Sequence, residues 1–283
     1  MFFTSSASVR KCAGCGFCAL GLHTRSRYNR DTDRRYIRDP IFLDRLDRLD
    51  HFGHKSTRNP RNVFRVKICG LTSVEDAAMV SSAGADAVGL NFYAKSPRSL
   101  SHEKAFELVK VVPDSVARVG LFVNATDDEV CSAYDHLGLD FIQLHGDEPP
   151  EYLLALGGRP VIRAFRLGSG GLNPILDYLA ACDLPEVNIQ AVLIDAFDPQ
   201  LYGGTGETAD WQQLASERSA LKDLPLILAG GLDETNVEQA IMKVRPDAVD
   251  TASGVEERPG RKDRNRVEAF VQSAHKAFSL LAS

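Results

Sequence analysis

The stretch FRVKICGLTSVEDA, Phe64–Ala77, combines a short apolar strand with the start of a helix. The apolar run ends at Cys69, and Ser73 followed by Asp76 three residues later is a capping signature for a helix. A free cysteine at the end of a buried strand is most often a small core residue. The meaning of Cys69 therefore depends on the fold that the rest of the chain adopts.

The same unit of strand and helix recurs to the end of the chain. Amphipathic helical patterns cover residues 73–84, 101–112, 173–184 and 233–244. Near-continuous apolar strands need helices on both faces, so the pattern predicts a (β/α)8 TIM barrel. An open doubly wound sheet is the alternative, but no G-x-G-x-x-G follows the first strand. The predicted strands are 64–69, 86–92, 116–123, 140–145, 160–165, 191–197, 224–231 and 247–254.

The first 62 residues differ from the rest in charge and composition. They hold 13 basic and 6 acidic side chains, a net charge of +7, whereas residues 63–283 have a net charge of −12. They are rich in Arg, Asp and His, and only IFLDRLDRLDHF, residues 41–52, shows a helical apolar spacing, so the segment can bury little. We expect residues 1–62 to be an Arg-rich extension, disordered or loosely attached, and residues 63–283 to form the barrel domain.

Three cysteines in the extension, Cys12, Cys15 and Cys18, form a C-x-x-C-x-x-C run. Iron–sulfur ligation normally takes four cysteines, and a zinc site would need His23 as the fourth ligand. An organelle targeting segment, sequence upstream of the true start and a dispensable tail are the other interpretations. We favour the dispensable tail and expect no bound metal.

Composition places the chain among ordinary globular proteins, with 44% hydrophobic and 25% charged residues. No apolar run approaches the roughly 18 residues of a transmembrane helix, and no secretory signal is visible. Six cysteines in 283 residues do not suggest a disulfide framework. We expect a cytoplasmic monomer or homodimer that binds neither nucleic acid nor membrane.

In a TIM barrel, residues at the carboxyl ends of the strands face the active-site mouth. Asp86 and Asp247 precede their strands and should lie at the other end. Groups from distant parts of the chain should converge at the mouth, which favours a site over four separate structural residues. The four polar residues that end or follow strands one, four, six and eight are Cys69, His145, Asp195 and Asp250.

Glycine-rich stretches follow the last two strands, LAGGL at Leu228–Leu232 and TASGVE at Thr251–Glu256. The loops after strands seven and eight of these barrels recurrently bind phosphate, and glycine lets backbone N–H groups approach an anion closely. No Walker lysine motif and no zinc-spaced set of ligands occurs in the barrel. We therefore expect a small phosphorylated substrate, and the residues predicted to bind its phosphate are Gly230, Gly231, Ser253 and Gly254.

The motifs also resemble a known family. In order, VKICGLTSVEDA, GADAVGLNFYAKSPRSLS, VGLFVN, IQLHGDE, YGGTGETADW, LAGGL and DTASGVE…PGRKD are similar to the motif series of phosphoribosylanthranilate isomerase, of tryptophan biosynthesis. The resemblance runs from about Val66 to the C-terminus, and residues 1–62 have no counterpart in it.

This resemblance implies an Amadori rearrangement that uses no cofactor. It implies that Cys69 is the general base, that Asp195 is the general acid, and that Arg98 holds the carboxylate of the anthranilate. It further implies substrate contacts for His145 and Asp250 and a mobile loop with Gly203, Gly204 and Gly206.

Two other functions remain open from the residues alone. One is another phosphate-binding barrel enzyme, such as a pentulose-phosphate epimerase, which needs metal ligands, or indole-glycerol-phosphate synthase, which needs several lysines. Only Lys67 stands in the first strand, two residues before Cys69 and facing the same way. The other is a non-catalytic ligand-binding barrel, against which Cys69 and Asp195 together argue.

Overall fold

The structure is a computed structural model that describes residues 64–168, 170–195 and 209–282. The extension 1–62, with its three cysteines, lies outside the described residues. The predicted mobile loop, with Gly203, Gly204 and Gly206, lies outside them as well.

Eight parallel strands form a closed barrel in chain order, which confirms the predicted (β/α)8 fold. The strands are β1 (Val66–Cys69), β2 (Ala87–Asn91), β3 (Ala117–Phe122), β4 (Phe141–Leu144), β5 (Val161–Arg166), β6 (Ile189–Asp195), β7 (Leu226–Ala229) and β8 (Ala248–Thr251). The helices are α1 (Val74–Ser82), α2 (His102–Val109), α3 (Asp127–Leu137), α4 (Tyr152–Ala155), α5 (Asn173–Ala181), α6 (Ala209–Glu217), α7 (Val237–Val244) and α8 (Arg264–Ala282).

The barrel closes between its first and last strands. β1 pairs with β2 on one side and with β8 on the other, where Val66 lies opposite Val249 and Lys67 lies opposite Asp250. This second pairing excludes the open doubly wound sheet, in which the edge strands would have no such partner.

Polar side chains begin several of the helices, as the sequence predicts for the first. The hydroxyl oxygen of Ser73 accepts a hydrogen bond from the backbone N–H of Asp76, and Ser101 does the same for Lys104. Thr126 and Glu129 form a reciprocal capping box at the start of α3. Among the described residues, no helix is both long and apolar enough to cross a membrane.

Two apolar layers pack against the barrel strands, one outside the barrel and one inside it. Val66, Ile68 and the other outward residues pack against the helices, while alternate residues point into the barrel. The inward layer is built mostly of small or branched side chains, as close packing inside a barrel requires. Its buried apolar members are Phe64, Ala87, Ala117, Val119, Ile162, Ala164, Ala191, Leu193, Ile227, Ala229 and Ala248.

A short antiparallel hairpin follows β8 and was not predicted from the sequence. It consists of β9 (Glu256–Arg258) and β10 (Arg261–Lys262). Its strands have only three and two residues, too short for an alternating pattern to identify. The hairpin is important because Glu256 and Lys262 reach the mouth of the barrel from it.

We expect a shortened chain that begins at Val63 to keep the full catalytic rate and thermal stability. All strand pairings that close the barrel lie within residues 66–251, so the fold does not need the extension. Steady-state kinetics and thermal unfolding of the shortened and full-length proteins would check this.

The same comparison should show no stoichiometric iron or zinc in the full-length protein by elemental analysis. A shortened barrel that fails to fold, or one equivalent of metal in the full-length protein, would contradict the dispensable-tail interpretation.

Candidate active site

A cavity of about 290 Å³ opens at the carboxyl ends of the strands. It brings together the side chains predicted from the ends of strands one, four, six and eight. It also includes Arg98 and three of the four residues predicted to bind phosphate. The residues that line it are Cys69, Gly70, Asn91, Arg98, Leu121, Gln143, His145, Asp195, Ala229, Gly230, Gly231, Leu232, Asp250, Thr251, Ala252 and Ser253.

Cys69 enters the cavity from the last position of β1 and is only 5% exposed. Its neighbour on β2 is Gly89, directly opposite in the strand register. A Cβ atom at Gly89 would lie 2.6 Å from Cys69 Sγ and 2.9 Å from Cys69 Cα. The glycine therefore leaves the space that the thiol occupies.

Beneath the thiol, Lys67 and Asp250 form a buried ion pair. Lys67 Nζ donates to Asp250 Oδ1 at 2.9 Å, and the side chains are 0% and 9% exposed. Burial alone would lower the pKa of the Lys67 ammonium, but Asp250 and Cys69 outweigh it, so the pKa is raised. Lys67 is therefore a permanent cation at this depth of the barrel.

Opposing influences act on the Cys69 thiol. Burial raises its pKa above the ordinary value, and the carboxylate of Asp250 acts in the same direction. The positive charges of Lys67 and Lys262 lower the pKa, and Lys67 also acts through a hydrogen bond. The thiol thus depends on neighbouring cations for any ionisation near neutral pH.

Arg98 and Lys262 are joined by Glu256. Arg98 donates through Nε and Nη2 to the two oxygens of Glu256, at 2.8 and 2.6 Å. Lys262 Nζ donates to Glu256 Oε1 at 2.9 Å, to the carbonyl oxygen of Cys69 at 2.6 Å and to that of Ala252 at 2.9 Å. Burial favours a higher pKa for Glu256, but these two cations outweigh it and hold the pKa low.

His145 is a half-buried imidazole that is neutral near pH 7. Burial lowers its pKa, although the carboxylates of Asp195 and Asp250 oppose that shift. The amide nitrogen of Gln143 lies 3.3 Å from His145 Nδ1. With the amide donating to Nδ1, the ring proton is on Nε2, which leaves an N–H donor for a ligand.

The loop that carries His145 is tied down by Arg163 and Glu148. Arg163 donates to the carbonyl oxygens of Leu144 and Gly146, both at 2.9 Å. The carboxylate of Glu148 accepts the backbone N–H groups of Gly146 and Asn124, at 3.0 and 2.8 Å. His145 therefore stands on a rigid segment.

The two glycine loops lie side by side at the cavity. Gly230 and Gly231 have φ values of 93° and 63°, a region that favours glycine. Among the described residues, their backbone N–H groups donate to no backbone carbonyl. Ser253 lines the cavity, but Gly254 does not; a Cβ at Gly254 would lie 2.0 Å from the carbonyl oxygen of Leu232.

Several residues at the site were missed by the sequence analysis. Asn91, Leu121 and Gln143 are inward residues of β2, β3 and β4, and alternation along each strand could have found them. Glu256 and Lys262 carried no comparable signal. Asp86 and Asp247 lie at the opposite end of the barrel, as predicted, where they accept backbone N–H groups that precede or begin β1 and β7.

Fold and site together define the class of (β/α)8-barrel enzymes that hold a thiol and carboxylates at the barrel mouth. A sequence profile of the family described as "N-(5'phosphoribosyl)anthranilate (PRA) isomerase" matches residues 66–273. A relative of that name from Geobacter sp. (strain M21) is 46% identical over 212 residues, 75% of this chain and 98% of the relative.

Solved structures agree with this match. The crystal structure of phosphoribosyl anthranilate isomerase from Thermotoga maritima is 36% identical, with a TM-score of 0.65 over 76% of this chain and 100% of its own. A structure of the isomerase in complex with reduced 1-(O-carboxyphenylamino)-1-deoxyribulose 5-phosphate is 35% identical, with a TM-score of 0.63 and the same coverage. The chain belongs to the N-(5'-phosphoribosyl)anthranilate isomerase family, whose members are isomerases of tryptophan biosynthesis.

The contact between Gly89 and Cys69 is testable. Gly89→Ala should lower kcat by about 10²-fold because it displaces the thiol. It should also destabilise the fold by about 1–3 kcal/mol through overpacking. Gly168→Ala is the matched control, because a Cβ there meets nothing within 4 Å.

Kinetics and chemical denaturation of both variants would decide the matter. If Gly89→Ala had the same kcat and stability as Gly168→Ala, that result would contradict the close contact between Gly89 and the Cys69 thiol.

Proposed function

We propose that Cys69 and Asp195 are the general base and the general acid of an Amadori rearrangement. The chain is an isomerase of L-tryptophan biosynthesis that converts N-(5-phosphoribosyl)anthranilate to 1-(2-carboxyphenylamino)-1-deoxyribulose 5-phosphate. The observation that carries the assignment is the position of the two groups. They line one cavity from β1 and β6, which are separated by two strands in one direction and four in the other.

The chemistry needs both groups at different atoms of one substrate. Asp195 protonates the ring oxygen of the ribose, so that the furanose opens to a Schiff base between the sugar and the anthranilate nitrogen. The thiolate of Cys69 then removes the proton from C2 of the sugar, and the resulting enolamine tautomerises to the ketone. Each transfer is an ordinary acid or base step that a positioned side chain accelerates.

We propose that the phosphate of the substrate binds the two glycine loops. The N–H groups of Gly230 and Gly231 are available to an anion, and Ser253 faces the same cavity. Gly254 serves the site differently, because it lets the second loop approach the carbonyl oxygen of Leu232 closely. The phosphate would therefore lie at the ends of β7 and β8, next to Asp195 and Asp250.

At the other end of the substrate, we propose that Arg98 binds the anthranilate carboxylate. Glu256 occupies Nε and Nη2 of Arg98, which leaves Nη1 for the substrate. The neutral imidazole of His145, with its proton on Nε2, and the second oxygen of Asp250 would contact the sugar between the two ends. No cofactor takes part in this mechanism, since the proton transfers leave the redox state of the substrate unchanged.

We also propose that the enzyme works in the cytoplasm as a monomer or homodimer, with neither nucleic acid nor membrane as partner. Support comes from the described cysteines, Cys69, Cys131 and Cys182, which are all free. The mechanism needs Cys69 as a reduced thiol, which suits a reducing compartment. A solved structure from Thermotoga maritima is of monomers generated from a dimeric phosphoribosylanthranilate isomerase.

The acid–base assignment predicts the effect of two conservative substitutions. Cys69→Ala and Asp195→Asn should each lower kcat by about 10²–10⁴-fold, because each removes one proton-transfer group. Substrate binding should persist, since most contacts remain. Cys131→Ser on α3 is the matched control for removal of a thiol. Steady-state turnover, followed by loss of the fluorescence of the ribosyl anthranilate, measures the effect. Near-normal kcat in both variants would contradict the assignment of Cys69 and Asp195 as base and acid.

The role of Arg98 predicts a different kinetic signature. Arg98→Ala should raise KM about tenfold or more with a smaller change in kcat, because a charge-assisted contact remote from the reacting atoms supplies mostly uniform binding. Arg264→Ala, which removes an exposed guanidinium paired with Glu268, is the control. An unchanged KM in Arg98→Ala would remove Arg98 from the substrate site.

A further inference from the structure

Lys67 is a buried cation that the acid–base mechanism does not use. It is fully buried and is absent from the residues that line the cavity, so it lies beneath the cavity wall. Burying an ammonium group costs several kcal/mol unless charge and hydrogen bonds compensate for it. If this position served only packing, an apolar residue would fill it without the cost of burying a charge.

The geometry places Lys67 directly below Cys69. The two residues are two positions apart on β1, so their side chains point to the same face of the strand, into the barrel. Asp250, on the adjacent strand β8, holds the Lys67 ammonium through one oxygen at 2.9 Å.

We propose that Lys67 is a positioning residue that stabilises the thiolate of Cys69, with Asp250 holding its ammonium group in place below the sulfur. This inference rests on the proposed role of Cys69 as the base.

The hydrogen bonds distinguish Lys67 from the second buried lysine. Lys262 Nζ donates its three hydrogen bonds to the carbonyl oxygens of Cys69 and Ala252 and to the carboxylate of Glu256. Among the described residues, Lys67 Nζ has one oxygen acceptor, on Asp250, and its positive charge acts to lower the pKa of the Cys69 thiol. Lys262 has no donor left for the sulfur, whereas Lys67 Nζ has N–H groups beyond the one that Asp250 accepts.

Burial raises the pKa of the Cys69 thiol, and the cations around it act in the opposite direction. The groups that act on the sulfur are Lys67 from β1, Asp250 from β8, Lys262 from β10 and Arg98 from the loop after β2. With Glu256, which pairs Arg98 and Lys262, this cluster holds three cations and two carboxylates. Its net charge of +1 becomes zero when Cys69 ionises. His145 and Asp195 face the cavity from beyond β4 and from β6.

The test is the pH dependence of alkylation of Cys69 by iodoacetamide in the full-length protein. Mass spectrometry of the peptide that contains Cys69 separates its rate from that of the other cysteines. Lys67→Met should raise the pKa of the thiol by about one unit or more, because a close cation is lost. Asp250→Asn should lower it, because a close carboxylate is lost. Lys110→Met, which removes an exposed lysine paired with Glu107, should leave it unchanged.

A purely structural role for Lys67 gives a different result. It would lower thermal stability in Lys67→Met without moving the thiol pKa, and that result would overturn the inference. So would a shift of the same sign in Lys67→Met and Asp250→Asn.

If the unpaired Asp250 prevents Lys67→Met from folding, the double variant Lys67→Met/Asp250→Asn decides the matter. Its thiol pKa should be higher than that of Asp250→Asn alone, and equal values would overturn the inference. The alkylation readout does not depend on turnover. Failure of the acid–base mechanism would instead appear as normal kcat in Cys69→Ala.

Discussion

The ion pair between Lys67 and Asp250 lies at the seam where the first strand of the barrel meets the last. The two residues are 183 positions apart in the chain and directly opposite in the strand register. Either charge alone would be costly at this depth, so each residue requires the other. Closure of the barrel therefore places a compensated charge pair directly beneath Cys69. The other polar residues of the mouth are arranged above this pair.

A second set of ionic contacts links three parts of the site that would otherwise be independent. Glu256 holds the guanidinium of Arg98 from one side and the ammonium of Lys262 from the other. Lys262 in turn holds the carbonyl oxygens of Cys69 and Ala252. Arg98, the backbone of Cys69 and the loop after β8 thus share one support, which the short hairpin supplies.

The loop that carries His145 is held by buried charged side chains. Arg163 and Glu148 are both nearly inaccessible, and together they satisfy the backbone groups of the loop that carries His145. Burial lowers the pKa of the His145 imidazole, so the ring is neutral near pH 7 and can donate a hydrogen bond from Nε2. The glycines at positions 89 and 254 act by the absence of a side chain, since a Cβ at either position would strike an atom of the site.

The sequence by itself determined the order of elements and the place of the main catalytic candidates. Local periodicity predicts the strands and helices. The carboxyl ends of parallel barrel strands meet at one mouth, so the sequence alone predicts that the residues at these ends converge. They are Cys69, His145, Asp195 and Asp250. The tertiary structure alone decided how Arg98 is held, because Glu256 and Lys262 belong to strands of two or three residues that leave no periodic trace. It also decided that Gly89 makes room for the thiol and that Gly254 packs behind the cavity. These roles depend on distances between residues far apart in the chain, and those distances exist only once the barrel has closed.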